Sequence, residues 1–435
     1  MEEWKEYKLG DICTKIGSGA TPKGGKEAYL GGNTSLIRSQ NVLDFSFSWD
    51  GLAYINDEQA AKLNGVEIEN GDVLLNITGD SVARACIVPE SALPARVNQH
   101  VSIVRGDVAI VLNDYILYFL QFKKPYLLSL SQGGATRNAL TKGMIEELPI
   151  PLPPLAKQAE IAHVLKSLDD KIEVNRRIND NLEQQAQALF KSWFVDFEPF
   201  RDQPFVESEL GMIPEGWKVG TLSDLGEVVG GSTPSKAKAE FYTDNGIAWL
   251  TPKDLSISNS KFTSKGEIDI TQEGYESCST KLMPKGTVLF SSRAPIGYIT
   301  IAKNDICTNQ GFKSVVPKKA GTTFIYCFLK ASTPEIENKA TGSTFKEASG
   351  ALMKNLPVII PEDVVLDQFE DLMKPIFKQQ EIIEDESRRL ASLRDTLLPR
   401  LMSGELSVDG LKGQPAVSPG QRPGGMEPQS HLTAL

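Results

Sequence analysis

The residue types that most often carry covalent or acid–base chemistry are scarce and poorly placed in this chain. There are three histidines. His431 lies in a polar tail, His163 falls in a stretch of helical periodicity where a surface or interhelix position is simplest, and His100 follows Asn98-Gln99. No His-Glu-x-x-His run and no Cys-x-x-Cys pair occurs, so metal-ligand spacing is missing. The five cysteines (Cys13, Cys86, Cys278, Cys307, Cys327) are odd in number and scattered, which argues against a disulfide framework. The nearest approach to a phosphate loop is Thr21-Pro22-Lys23-Gly24-Gly25-Lys26-Glu27. It has Ala20 where the leading glycine belongs and Glu27 where a hydroxyl should follow the lysine, so it is rejected. No Gly-x-Gly-x-x-Gly opens a βαβ unit, and no Asn/Asp-Pro-Pro-aromatic motif of amino-methyltransferases is present. Asp169-Asp170 and Glu146-Glu147 read as solvated helical faces. The expectation is a chain with no catalytic residue, no metal and no cofactor.

The remaining chemistry is non-covalent recognition by amides, hydroxyls and cations. Base edges of nucleic acid are read by Asn, Gln and Arg; phosphates are held by Lys, Arg, Ser, Thr and backbone N–H groups. Candidates of these types cluster in glycine-rich or polar loops. One group is Ser18, Thr21 and Lys23, with Ser232, Thr233 and Lys236 in a similar loop. A second is Arg38, Gln40 and Asn41, with Thr251 and Lys253. A third is Arg137, Asn138 and Lys142, with Thr344 and Lys346. The glycine loops bring backbone amides within reach of an anion, or they are tight turns that only shape the fold. The polar loops contact a recognised partner or are simply solvated.

These loops come in pairs because the chain is internally duplicated. Trp4-Lys5 to Leu9-Gly10-Asp11 is answered by Trp217-Lys218 to Leu222-Ser223-Asp224. Gly19-Ala20-Thr21-Pro22 is answered by Gly231-Ser232-Thr233-Pro234, and Gly71-Asp72-Val73-Leu74-Leu75 by Gly286-Thr287-Val288-Leu289-Phe290. Asn98-Gln99 is answered by Asn309-Gln310, and Leu148-Pro149-Ile150 by Leu356-Pro357-Val358. Residues shared by both copies, such as the Asn-Gln pairs, suit a structural or backbone role. The Arg38–Asn41 and Thr251–Asp254 loops differ between copies, as expected if each reads a different sequence.

Within each copy, short β-rich runs punctuated by Gly, Pro, Asn and Asp indicate strands: Asp72–Leu75, Ala85–Val88 and Val101–Val104, then Thr287–Ser291, Tyr298–Ala302 and Lys313–Val316. Asp114–Phe122 and Thr323–Ala331 have helical spacing. Each copy is thus a mixed α/β module with a largely antiparallel core. Each is followed by a long periodic segment. The first starts after Pro153-Pro154 and runs to about Phe194, with a seam of Ile161, Leu165, Leu168, Ile172, Leu182, Ala186, Leu189 and Trp193. Asn175 and Asn179 interrupt that seam; they fix register, or the seam loosens there. The second runs from about Val364 to Leu398, where Pro375 predicts a kink or a helix start. Forty residues make a rod of roughly 60 Å. The expected boundaries are a first module at 1–152, a helix at 153–200, a second module at 201–358 including a linker at 201–212, a second helix at 359–410, and a disordered Pro/Gly/Ser/Gln-rich tail at 411–435.

The net charge is −10, which does not advertise a nucleic-acid binder. Residues 211–358 nevertheless carry 17 basic against 14 acidic side chains. That balance predicts help from partner subunits in neutralising phosphates. There is no apolar run of 18 residues and the N-terminus is acidic and mixed, so neither a membrane span nor a secretory signal is expected, and the cytoplasm fits.

Several of these features together resemble the specificity subunit of type I restriction–modification systems. They are the module opening Trp-Lys…Leu-x-Asp…Gly-x-Thr-Pro, the Asn-Gln pair, the exit Leu148-Pro149-Ile150-Pro151-Leu152-Pro153-Pro154-Leu155-Ala156-Lys157-Gln158, and the ending Leu398-Pro399-Arg400-Leu401-Met402-Ser403-Gly404-Glu405-Leu406. The resemblance covers about residues 1–410, although the second helix start, Ile360-Pro361-Glu362, lacks the double proline. It implies an α+β chain: a tandem duplication of two target-recognition domains separated by two long antiparallel helices pairing as a coiled coil. It implies that each domain reads one half of a bipartite, asymmetric double-stranded DNA target. The helices would set the gap and dock two methyltransferase subunits, with restriction/translocase subunits completing the complex. Other readings are a recognition subunit serving a fused nuclease–methyltransferase partner, a coiled-coil scaffold without a DNA role, or an enzyme whose site escapes sequence inspection.

Overall fold

In the computed structural model the described residues are 4–22, 29, 31–132, 138–258, 260–342 and 346–408, so the tail at 411–435 lies outside them. The chain forms two compact units: residues 1–171 with 390–435, and residues 172–389.

The central strands explain both cores. In the first unit, strands Cys13–Ser18, Val101–Gly106, Val73–Asn76 and Ala85–Ile87 form an antiparallel sheet in that spatial order. Side chains alternate across a strand. Val73 and Leu75 therefore enter one apolar cluster with Leu9, Tyr115 and Phe119, while Leu74 and Ile103 enter another with Ile37 and Val97. Both faces are covered, which is why Val73–Leu75 reads as an unbroken apolar run. The second unit repeats the order with Gly226–Gly230, Lys313–Pro317, Val288–Ser292 and Ile296–Ala302, and adds Phe262–Thr263 as a parallel edge strand. There Val288 and Phe290 face one cluster and Leu289 the other.

A second, smaller sheet also recurs. Thr34–Ile37 pairs in parallel with Ala95–Val97, and Trp249–Leu250 pairs in parallel with Cys307–Thr308. The first strand of each module then closes on its last. Lys5–Lys8 lies antiparallel to Pro149–Leu152, and Lys218–Thr221 to Pro357–Ile360. The modules are thus α+β and largely antiparallel, as their residue patterns predict. The helices Asn113–Phe122 and Thr322–Lys339 cover the sheets; the second runs on through Pro334, past the expected end at Ala331.

The long helices are Leu155–Phe194 and Asp363–Met402, each of 40 residues. The second is continuous through Pro375, so no helix starts there. Proline removes one backbone bond, but Met373 and Phe377 on either side are buried, and that burial holds the helix together. Within the second unit the two helices pair antiparallel. Asn175 meets Glu386 and Ser387, Gln380 donates to the Asn179 carbonyl, and Phe194 packs on Phe369. Asn175 is 1% exposed, and its amide donates to Glu386 Oε2 (2.8 Å) and Ser387 Oγ (3.2 Å), so this polar position fixes register.

Charged contacts seat each module on its helices. In the first unit Tyr118 donates to Asp169 (2.7 Å), Asp169 pairs with Arg394 (2.6 Å), and the Arg394 guanidinium lies 3.7 Å from the Phe45 ring centroid. This corrects the expectation that Asp169-Asp170 is a solvated face. Only Asp170 is exposed; Asp169 sits on the buried stripe four residues after Leu165, a difference that two adjacent like charges do not announce. In the second unit the buried Lys261 pairs with Glu183 (2.7 Å), donates to Gln380 (2.7 Å) and lies over the Phe377 ring. Tyr326 and Lys330 also donate to Glu183. Among the described residues no helix is long and apolar enough to cross a membrane.

Candidate nucleic-acid interface

In each unit four segments converge at one end of the sheets: the glycine loop, the loop after the small parallel strand, the Asn-Gln turn, and the turn after the central strand. The first three are joined by the same hydrogen bonds in both copies. The Thr21 hydroxyl donates to Gln99 Oε1, and the Thr233 hydroxyl to Gln310 Oε1. Asn98 Oδ1 accepts from the His100 N–H (3.0 Å), and Asn309 Oδ1 from the Gly311 N–H (2.8 Å). The Asn98 N–H donates to the Ile37 carbonyl (3.1 Å), and the Asn309 N–H to the Leu250 carbonyl (3.0 Å). The Arg38 N–H donates to Asn41 Oδ1 (3.1 Å), and the Thr251 N–H to Asp254 Oδ2 (2.7 Å). The fourth segment is tied to the stretch before the exit helix: the Leu140 N–H donates to the Ile77 carbonyl (2.8 Å), and the Ala348 N–H to the Ser292 carbonyl (2.9 Å).

The glycines follow from this frame. A Cβ on Gly19 would lie 1.7 Å from the Val97 carbonyl oxygen, and one on Gly231 would lie 2.1 Å from that of Asn309. The chain's own backbone fills the space a side chain would need. A shaping role accounts for both glycines. The shared Thr and Gln side chains are bonded to each other, and the shared Asn side chains to backbone N–H groups.

What differs between the copies is what projects from the frame. Repeat spacing places Thr78 opposite Arg293, and each makes an isolated antiparallel bridge, to Ala139 and to Glu347 respectively. Arg38 stands opposite Thr251, Gln40 opposite Lys253, His100 opposite Gly311, and Asn138 opposite Lys346. In the first unit the polar groups form a chain. Gln99 Nε2 lies 3.2 Å from His100 Nε2, and His100 Nδ1 lies 2.6 Å from Thr78 Oγ1. In the second unit Gly311 and Arg293 replace the ring and the hydroxyl.

The sequence-derived candidates separate on these grounds. Thr233, Lys236, Thr251 and Lys253 line one open cleft of about 590 Å³ together with Arg293, Asn309 and Gln310. Lys253 is paired with Glu267 (2.8 Å), whose carboxylate pushes the lysine above its usual value. Ser232 lies beside the cleft, half-buried, its N–H donating to the Thr308 carbonyl (2.9 Å). In the first unit Arg38 donates to the Gly51 carbonyl and Gln40 to the Asp50 carbonyl (3.1 Å), which holds both at the loop. Thr21 is locked to Gln99, whereas Ser18 and Asn138 are exposed. Lys142 is exposed and pairs with Glu146 (3.4 Å), one helical turn along its own helix. Lys346 is exposed and donates to the Glu337 carbonyl (3.2 Å). Lys23, Arg137 and Thr344 lie outside the described residues.

Asn41 departs from expectation. It is 0% exposed; its oxygen caps the Arg38 N–H and its amide donates to the Ser48 (3.0 Å) and Asp50 (3.2 Å) carbonyls. It builds the loop and has nothing left for a base. Arg293 was missed. The signal was present, because it follows the shared Val-Leu strand at the place where the first copy has Thr78.

The cleft offers hydrogen-bond donors, acceptors and positive charge. Beneath it the Cys307 thiol is buried, which pushes it up to about 11 and leaves it inert. Among the described residues no group of His, Cys, Asp and Glu could hold a metal ion.

Comparison with known proteins agrees with this duplicated recognition frame. The family model described as "Type I restriction modification DNA specificity domain" matches residues 1–184 and again 214–387. The chain is 26% identical to the HindI specificity subunit of Haemophilus influenzae, over 93% of this chain and 100% of that one. It is 42% identical to the MjaIX specificity subunit of Methanocaldococcus jannaschii over 190 residues, which span 41% of this chain and 44% of that relative. In fold it is similar to the crystal structure of the type I system S subunit from M. genitalium, with a TM-score of 0.54 at 15% identity, covering 92% of this chain and 96% of that one. With both copies of the frame matched separately by one family model, the chain belongs to the type I restriction–modification DNA specificity family.

Proposed function

We propose that this chain is the sequence-reading subunit of a type I restriction–modification complex, with each unit reading one half of a bipartite, asymmetric double-stranded DNA target. The carrying observation is that two copies share one hydrogen-bonded frame while the side chains projecting from it differ, Arg293 against Thr78 and Lys253 against Gln40. A frame held constant with altered projecting groups is what two different half-sites require, because base identity is read by side-chain donors and acceptors. In this reading Ser18, Thr21, Arg38, Gln40 and Asn138 belong to the first reading face, and Ser232, Thr233, Lys236, Thr251, Lys253 and Lys346 to the second. Lys142 serves as a phosphate contact, and Lys23, Arg137 and Thr344, outside the described residues, are kept as DNA contacts on their residue types alone.

Methylation and cleavage then belong to partner polypeptides: two methyltransferase subunits docked on the helices, and restriction/translocase subunits in the full complex. Val174 and Ile178, one turn apart, and Ile382 are exposed apolar residues on the long helices, as a docking surface needs. The −10 net charge also calls for partners to supply cations along the duplex.

The test is methylome sequencing of cells carrying the chain with its methyltransferase. Exchanging residues 1–152 for another module is expected to change one half of the methylated motif only. Adding one helical turn, about 5.4 Å, to both long helices is expected to alter the gap and keep both halves. An insertion that rewrites a half-site, or a wild-type methylome without a bipartite motif, overturns the proposal.

A further inference from the structure

We infer that Arg293 reads a guanine in the half-site recognised by the second unit. The inference rests on the proposed DNA-reading role and names the base and the residue.

Three observations carry it. First, Arg293 is the arginine among the residues lining the second unit's cleft, alongside Thr233, Lys236, Thr251, Lys253 and Gln310. Most of its neighbours have their polar groups committed: the Thr233 hydroxyl to Gln310, Asn309 Oδ1 to the Gly311 N–H, the Thr251 hydroxyl to Asp254 and Lys253 to Glu267. Second, Arg293 is propped. Its Nη1 faces Glu347 Oε2 at 3.5 Å, and Glu347 is itself held by the largely buried Lys313 at 3.3 Å. One edge of the guanidinium is thereby oriented by a carboxylate. The Nε–Nη2 edge carries no protein hydrogen bond among the described residues. Third, Arg293 directly follows the central strand Val288–Ser292, and the next residue, Ala294, has φ of +49°. The strand ends there in a left-handed turn, and Arg293 stands at the turn over the cleft.

A planar edge with two parallel donors and no acceptor has one matching partner in the major groove. Guanine presents two acceptors, N7 and O6, side by side; adenine and cytosine each put a donor on that edge, and thymine a methyl beside its single acceptor. A lysine such as Lys236 lacks the fork and suits phosphate. In the first unit the same place holds Thr78, tied to His100, so the guanine preference belongs to one half-site only.

The test uses the chain assembled with its methyltransferase. In the wild-type motif, the half that follows the second unit is expected to contain a G·C pair at which Arg293→Ala and Arg293→Lys both lose discrimination, by roughly 5- to 150-fold in relative methylation rate. The first half should stay unchanged. A second measurement alters the DNA chemically instead of in its target sequence. Replacing that guanine by 7-deazaguanine, which removes the N7 acceptor, is expected to weaken binding of the wild-type complex and to leave the Arg293→Ala complex unaffected. Uniformly weaker methylation at an unchanged motif, with Arg293→Lys behaving as wild type, identifies a phosphate contact and overturns the inference. So does wild-type binding that ignores 7-deazaguanine at every guanine of that half. A wild-type methylome with no bipartite motif overturns the parent reading instead, so the two failures are distinguishable.

Discussion

At the residue scale, the shared glycines matter for what lies beside them. Gly231 is jammed against the Asn309 and Thr308 carbonyls, both within 2.3 Å of where a Cβ would sit. A carbonyl in a paired strand cannot move as a flexible side-chain end can. Gly231→Ala is therefore expected to displace the Thr233–Gln310 contact and destabilise the second unit by about 1–3 kcal/mol, as overpacking does. Denaturant unfolding measures this, and unchanged stability would mean that the loop swings freely. In methylation assays the same variant should impair the half-site of the second unit and spare the first.

At the scale of elements, the seat between the second module and its helices is a buried charge cluster. Glu183 accepts from Lys261 and Lys330, and burial is overcome by these two cations, so its carboxyl is held down to about 2. A carboxyl depressed in the folded state contributes stability above its ordinary value, near 4.5, and loses it as pH falls toward 2. Glu384, pushed up by burial, works in the opposite sense. The diagnostic is thus a difference: acid unfolding of Glu183→Gln should flatten between pH 4.5 and 2 relative to wild type. Lys261→Ala leaves Glu183 with Lys330 as its remaining cation and buried Gln380 without its Lys261 donor, and is expected to cost about 1–3 kcal/mol. Thermal unfolding checks it, and replacing Lys261 and Glu183 together by methionine should recover much of the loss.

At the scale of the whole molecule, the chain's last described helix turn completes the unit that its first residues begin. Leu398, Leu401 and Met402 are buried in one cluster with Leu9, Tyr115 and Leu165. Leu401 is 0% exposed, so Leu401→Ala is expected to destabilise the first unit by about 2–5 kcal/mol. Limited proteolysis should show cleavage within residues 31–132 before cleavage within 211–342. The reverse order would place Leu401 outside that core.

The duplication, the α+β class of each copy and the two long helices are legible in the residues alone, since these depend on local periodicity and on repeated spacing. Asp72–Leu75 reads as a strand and the Pro153-Pro154 step as a helix start from the residues themselves. The sequence also points to the converging loops, because residues repeated at matched intervals occupy matched places. Which polar groups remain available emerges from the folded packing. Asn41 looks like a reader of bases and is consumed by its own loop; Asp169 looks solvated and is half-buried against Arg394; Arg293 looks like an ordinary turn residue and stands over a cleft. The partners of Asp169 and Arg293 come from segments tens to hundreds of residues away, and those of Asn41 depend on how its loop folds back, so a local pattern records neither.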